Sequence, residues 1–241
     1  MRRDDPRVEE LELGGREPLP APASKVLEAL APLVTERRLG RLRTVAGGRL
    51  HSVAPVLESI ADPHNASAIL RSADAFGIQR VHVVPGPAGF HASRQISKGA
   101  HRWLDLVRHR DSEACAEALR GAGYAIYVAS MEGTVTPAEL AARPKVAVVF
   151  GNEHRGPSPA MRERAEGTYA IPMRGFVESL NVSVAAAITL HALTASRSGE
   201  LSAAEQGELV ARWLLATVRD GERVVREHVE GAREVSPLPE R

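Results

Sequence analysis

From Ser52 to Ile171 the chain alternates short apolar, largely β-branched runs with stretches of helical spacing. The runs are Ser52–Leu57, Val81–Val84, Trp103–Val107, Ala125–Ala129, Val146–Phe150 and Tyr169–Ile171, and they predict six strands. Apolar residues fill them almost continuously instead of alternating, the pattern of parallel strands covered on both faces. An α/β domain with helices on both sides of a parallel sheet is therefore expected. The helices carry their own punctuation. Asp62-Pro63 places a capping side chain ahead of a proline at the first helical position, and Ser158-Pro159 repeats the device. Asp111 opens a further helix that Gly121 and Gly123 close.

Within the helix after Asp62, Ile69, Ala73 and Phe76 fall at i, i+4 and i+7 and form its buried stripe. Arg71 lies about 200° round from Ile69 and points away from that stripe, with Asn65 near the helix start. The segment Val182–Leu190 is apolar nearly all round and holds three consecutive alanines, which predicts a fully buried helix capped by the polar groups of Ser179 and Asn181. One last amphipathic helix is expected over Ala203–Val229, with Leu209, Trp213, Leu214 and Val218 on one side. The first fifty residues differ. Leu13–Ala23 is rich in glycine and proline and reads as a linker, after which Ser24 is expected to cap a short helix carrying Val26, Leu27, Leu30 and Leu33. The expected division is a basic helical extension over residues 1–50, the α/β domain over 51–197 and a helical extension over 198–241.

Composition narrows the class. At 241 residues, with 44% hydrophobic and 25% charged, the chain can bury a real core, which excludes wholesale disorder and fibrous repeats. No apolar run approaches the roughly 18 residues that span a bilayer, and the charged start Met1–Pro6 has no apolar stretch behind it, so a cytoplasmic protein is expected. The single cysteine, Cys115, forbids an internal disulfide and reads as a small buried hydrophobe, while none of the nine histidines has a ligand spacing; no metal is expected. Net charge is only +1, so clustering decides whether polyanions are partners. Arg37, Arg38, Arg41, Arg43 and Arg49 lie together, and His91 to Arg110 holds Arg94, Lys98, Arg102, Arg108 and Arg110 with three histidines. Either cluster alone reads as a solvated face; the two together leave that reading and a polyanion partner evenly balanced.

Glycine-rich words are few. Gly151–Ser158 has the glycine spacing of a phosphate-binding loop, but Pro157 stands where the phosphate-reaching lysine is needed. Three other stretches sit at strand ends or helix starts, where α/β proteins place ligands: Asp62–Ile78, Val148–Gly156 and Ala170–Leu190. Their words HNASAILRSADAFG, FGNEHRG and IPMRGFVESLNVSVAAA resemble, in order and at compatible spacing, the three motifs of the SpoU family of RNA ribose 2'-O-methyltransferases, in the SPOUT superfamily. The resemblance covers about residues 50 to 197. It implies a parallel sheet whose C-terminal third is tied in a deep trefoil knot, a homodimer, and S-adenosyl-L-methionine bound at the knot.

Residue by residue, the resemblance gives Asn65 and Arg71 to the first motif's polar pair, Glu153 to the second motif's acid, and Ser179 and Asn181 to the third's polar pair. Ile171 and Leu180 match backbone contacts to the adenosyl group, Gly151 a close approach to it, and Ala129 a further cofactor contact. Family accounts make the equivalent of Arg71 the base that removes the 2'-hydroxyl proton. Arginine keeps its proton up to about pH 12, so bidentate anchoring of the target phosphate stands beside that role. His64, next to Asn65, is a further candidate base, though a histidine beside a cap is more often structural. The short N-terminal extension is similar to the branch acting on guanosine 18 in the tRNA D loop, with Arg37, Arg38, Arg41 and Arg43 holding phosphates. Methylation of ribosomal RNA, or an inactive knotted RNA-binding module, are the alternatives.

Overall fold

The structure, a computed structural model, describes residues 8–10, 18–87, 89–93 and 99–234. Its centre is a parallel sheet of six strands: β2 (Val53–Glu58), β3 (Arg80–Val84), β5 (Asp105–Arg108), β6 (Ala125–Ala129), β7 (Val146–Phe150) and β8 (Gly167–Tyr169). They lie in the order β5-β3-β2-β7-β6-β8. Two short strands outside it, β1 (Val8–Glu10) and β4 (His91–Ser93), pair antiparallel. Every residue of the adjacent central strands β2 and β7 is buried, which is why their sequences do not alternate. Side chains still divide by period two: Val53, Leu57, Val146, Val148 and Phe150 face one core, and Ala54, Val56, Ala147 and Val149 the other.

Helix α3 (Pro63–Ala75) and helix α7 (Val182–Thr194) cover the first face. Helix α4 (Ser112–Gly121) and helix α6 (Pro159–Arg164) cover the second, and the short α5 (Pro137–Leu140) follows β6. The expected caps are in place: Asp62 accepts from the His64 amide, Asp111 from Ala114 and Ser158 from Met161. The Arg197 guanidinium ties the end of this domain to its strand starts, donating to Ser52 Oγ at 2.6 Å and to the Arg143 carbonyl at 2.6 Å.

Several expectations are corrected. The last strand ends at Tyr169, not Ile171, because its partner β6 ends at Ala129, opposite Tyr169, and offers nothing further to pair with. Trp103 closes a single 3-10 turn, Ala100–Trp103, so β5 starts at Asp105. Helix α7 is not fully buried: Val184 is 46% and Ile188 42% exposed, since only one side of it packs on the sheet and α3. His109 belongs to the core, with its Nε2 2.8 Å from His82 Nδ1. Arg94 and Lys98 lie outside the described residues.

The chain divides into two units, Met1–Arg16 with Leu50–Ser198, and Glu17–Arg49 with Gly199–Arg241. In the second, α1 (Ala23–Leu30), α2 (Glu36–Gly47), α8 (Ala203–Thr217) and α9 (Gly221–Glu234) pack together, α8 meeting each of the other three. Ser24 lies inside α1, which starts behind Pro22 without a side-chain cap. The single helix expected over 203–229 is two, because Val218 is extended and Asp220 adopts φ 56, a left-handed conformation that ends helical propagation. Arg49 leaves the basic face. It is 1% exposed, with its guanidinium 5.3 Å from the Trp213 ring centre. Arg37, Arg38, Arg41 and Arg43 are carried on α2, Arg37, Arg38, Arg41 and Arg43 all being exposed. Among the described residues no helix is long and apolar enough to cross a membrane.

Candidate active site

The loop after β7 turns back on itself within seven residues. A Cβ on Gly151 would stand 2.1 Å from the Pro157 nitrogen and 2.2 Å from the Gly156 carbonyl carbon, so the position requires glycine for the loop's own return. Gly156 is left-handed at φ 66, and its amide donates to the Asn152 carbonyl at 2.8 Å. The Asn152 side chain fixes the turn from inside. Its Oδ1 accepts from the amides of His154 (3.0 Å) and Arg155 (3.2 Å), and its Nδ2 donates to the Ser59 carbonyl at 3.0 Å.

This turn presents Glu153 to the start of α3. The carboxylate accepts from the Ala61 amide at 3.0 Å, the Asp62 amide at 3.1 Å and Asn65 Nδ2 at 3.0 Å. Asn65 Oδ1 accepts from Asn181 Nδ2 at 3.0 Å, and Asn181 Oδ1 accepts from the Ser183 amide and hydroxyl at 2.8 and 2.6 Å. One relay of hydrogen bonds thus joins residues 153, 65, 181 and 183, which come from the three separated stretches singled out in the sequence. Burial alone would raise the Glu153 carboxyl. The donors from Asn65, Ala61, Asp62 and its own amide outweigh that and hold it below the usual carboxylate range.

A cleft of about 780 Å³ opens beside the relay. Ala129, Gly151, Ile171 and Leu180, the four residues expected at the cofactor, all line it, as do Glu153, Ser179 and Asn181. Its outer wall depends on close backbone contact. A Cβ on Gly133 would stand 2.1 Å from the Tyr169 carbonyl carbon, and the Tyr169 carbonyl accepts from the Ser130 amide at 3.0 Å. The cleft combines apolar side chains, among them Phe150, Val182 and Ala185, with backbone groups and with the carboxylates of Glu132 and Glu178. That set suits an adenosine joined to a cationic group, and the volume lies within the usual range of about 300–1,000 Å³ for small-molecule sites.

Arg71 is exposed on α3 and is not among the residues lining the cleft. His64 is also exposed at that helix start. Asn152 and Ser183 were not singled out from the sequence; the asparagine between Gly151 and Glu153, in a loop with glycine at both ends, is the signal for the first. Glu58 was missed too. It is 2% exposed and accepts from the Ser158 amide at 2.8 Å, from the Ser158 hydroxyl at 2.6 Å and from the Ser112 hydroxyl. A carboxylate ending an otherwise apolar strand was its trace in the sequence.

Among the described residues one group offers metal-type ligand atoms, His82, His109 and Cys115, all within 4.8 Å of one another. The two imidazole planes lie 11° apart and their facing nitrogens are 2.8 Å apart, so one donates to the other and that pair of nitrogens is engaged. Burial, reinforced by the Glu58 charge, pushes the Cys115 thiol up to about 12, which makes it a poor ligand and nucleophile.

The model of the SpoU rRNA methylase family matches residues 52–191, more than half of the chain. The chain belongs to this family. Among its relatives, a tRNA (guanosine(18)-2'-O)-methyltransferase of Thermus thermophilus is 37% identical over 157 residues, 65% of this SpoU chain and 81% of that protein. A 23S rRNA (guanosine-2'-O-)-methyltransferase, RlmB of Xanthomonas axonopodis pv. citri, is 35% identical over 71% of the SpoU chain and 69% of its own length. In structure, the TrmH/SpoU tRNA modifying enzyme of A. aeolicus matches 76% of the SpoU chain and 98% of its own, with a TM-score of 0.69 at 28% identity. The SpoU methyltransferase AviRb from Streptomyces viridochromogenes, solved in complex with AdoMet, matches 62% of the SpoU chain and 60% of its own at a TM-score of 0.52 and 27% identity.

Proposed function

We propose that this protein transfers a methyl group from S-adenosyl-L-methionine to a ribose 2'-hydroxyl in RNA, the target being guanosine 18 of tRNA. The observation that carries the reading is the Glu153–Asn65–Asn181 relay, three motifs joined by side-chain hydrogen bonds at the rim of one cleft. Bound S-adenosylmethionine supplies an electrophilic methyl on a sulfonium. Ala129, Gly151, Ile171 and Leu180 line the cleft that would hold it, with Glu132 and Glu178 offering charge complementary to a cation. Glu153, already held ionised by its donors, is a weak base and acts by fixing Asn65 and the first turn of α3. Asn65 has both ends of its amide committed, so its orientation is set before substrate arrives. Arg71, on the same helix and facing solvent, is the cation available to an RNA phosphate, and an adjacent bound phosphate places the neighbouring hydroxyl.

Two finer features belong to the same reading. The segment after β8 runs against the loop after β6, with the Ala170 amide on the Val135 carbonyl at 2.9 Å, a close passage that supports a knotted C-terminal third. Phe176, Val177, Val184 and Ile188 are large apolar side chains left exposed, and their exposure supports a homodimer. Incubation with methyl-labelled cofactor and unmodified tRNA or 23S rRNA transcripts, followed by nucleoside mapping, tests the proposal. Label at guanosine 18 of tRNA is expected; label confined to 23S rRNA would favour the second reading, which the 35% identical rRNA enzyme keeps open. No label on any RNA would leave a binding module.

A further inference from the structure

Of the carboxylates lining the cleft of about 780 Å³, Glu153 is spent on Asn65 and the amides of Ala61 and Asp62. Glu132 and Glu178 are exposed, and among the described residues their side chains have no hydrogen-bond or ion-pair partner. Both carry the charge that a cationic donor favours, yet the fold separates what each can touch. Glu178 stands three residues ahead of Asn181, whose amide bonds Asn65, and so belongs to the reacting end of the cleft. Glu132 stands in the turn after β6, and β7 separates β6 from β2. At the usual strand spacing of about 4.8 Å, that turn lies about 10 Å along the sheet from the β2 end that leads into α3 and Asn65. It is held there by backbone. The Gly133 amide donates to the Ser130 carbonyl at 3.3 Å and closes the turn, while the Ser130 and Thr134 amides donate to the Tyr169 and Thr168 carbonyls at 3.0 and 3.2 Å and fasten both its ends to β8. Its two central residues, Met131 and Glu132, both line the cleft.

With its methyl at the relay, the donor runs its nucleoside toward β6 and β8, because the cleft's lining continues from Glu153 and Asn181 to Ala129 and Tyr169. The adenine is flat and suits apolar walls such as Phe150 and Ala185. The ribose is the part that carries hydroxyls and needs acceptors. A vicinal diol presents two O–H donors side by side, and an ionised carboxylate presents two acceptor oxygens in one plane, so the pair closes two charge-assisted hydrogen bonds together. The 6-amino group of adenine has both donors on one nitrogen and fits two oxygens poorly. An acid that holds a ribose hydroxyl beside a parallel sheet is also how dinucleotide-binding α/β folds read their cofactor. Glu132 lines this cleft but not the hollow of about 590 Å³ on the other side of the Asn152–Pro157 turn, so substituting it alters one chamber only.

We propose that Glu132 binds the 2'- and 3'-hydroxyls of the donor's ribose and thereby selects a ribonucleoside cofactor; the inference rests on the S-adenosylmethionine reading above. Calorimetry on the full chain with S-adenosylhomocysteine and its 2'-deoxy form tests it. Removing the 2'-hydroxyl should weaken binding to wild type by about tenfold, the lower end for a hydrogen bond to a charged group. Glu132→Ala should weaken intact S-adenosylhomocysteine by at least that factor and bind the two forms within about twofold of each other, since the partner of the hydroxyl is gone. A variant that still discriminates against the deoxy form as wild type does would overturn the assignment. The variant should also lose S-adenosylmethionine and S-adenosylhomocysteine alike, because they share the ribose and differ in the sulfonium charge. Loss of S-adenosylmethionine alone would give Glu132 to the sulfonium and sink the diol contact. None of these measurements needs RNA. If wild type binds both ligands yet methylates no RNA, the transfer reading falls while the Glu132 contact stands on its own titrations. If wild type methylates RNA and Glu132→Ala binds cofactor as wild type does, only the Glu132 contact falls.

Discussion

Among the described residues no cation bonds Glu153; what keeps it charged is a set of donors that includes Asn65 and the backbone amides of Ala61 and Asp62, just ahead of α3, at 3.0–3.1 Å. Such a carboxylate is built to stay ionised, which moves attention for substrate contact to Arg71 on the same helix. Both Arg71→Ala and Arg71→Lys are expected to lose most turnover while S-adenosylmethionine binding by calorimetry stays intact; a fully active lysine variant would contradict a bidentate phosphate anchor. His82 makes a different prediction. Burial first, then the charges of His109 and Arg80, push its imidazole down to about 3 from 6.5. Above pH 6.5 it is neutral folded or unfolded and its contribution is complete. Below that, the unfolded chain takes up a proton that the native state refuses, so stability should fall by up to about 1.4 kcal/mol per pH unit as pH drops toward the folded value. Urea unfolding at a series of pH values reads the slope, and His82→Asn should flatten it.

At the scale of elements, the strands and caps were legible because their causes are local: a continuous apolar run marks a strand covered on both faces, and Asp62-Pro63 or Ser158-Pro159 marks a helix start. Four of the five polar residues read from the motif words meet at the cleft or its relay, yet the relay itself was illegible, since hydrogen bonds such as Asn65 to Asn181 depend on packing between α3 and α7. The exposed side of α7 was misjudged for the same reason. An all-apolar helix sequence does not say which of its faces the fold will leave open. At Gly151 the structure supplies a cause that the motif did not: the turn Gly151–Pro157 closes on it, so a side chain is excluded by backbone and not by a ligand. Gly151→Ala should therefore open the turn, weaken S-adenosylmethionine binding by more than about tenfold, and lower the unfolding temperature, measured by calorimetry on the same sample.

For the molecule as a whole, Glu17–Arg49 and Gly199–Arg241 form one helical unit, in which α2 carries the exposed Arg37, Arg38, Arg41 and Arg43, and the α/β domain carries the cleft. If Arg37 and Arg41 hold phosphates, the double charge reversal Arg37→Glu/Arg41→Glu should weaken tRNA binding and reduce the slope of log affinity against log salt by about 2, since each phosphate no longer neutralised is worth about 0.9. Cofactor affinity should not move, and an unchanged slope would remove α2 from the interface. The fully exposed side chain of Phe176 carries a separate expectation: Phe176→Asp should shift sedimentation equilibrium toward monomer, and a wild type already monomeric at micromolar concentration would count against the dimer.

The turn from Asn152 to Pro157 is only a few residues thick, and hollows of about 780 and 590 Å³ share it as a partition. Asn152, His154, Arg155, Gly156 and Pro157 line both, so a substitution at any of these five positions alters two chambers at once, and a ligand filling one chamber stiffens a wall of the other.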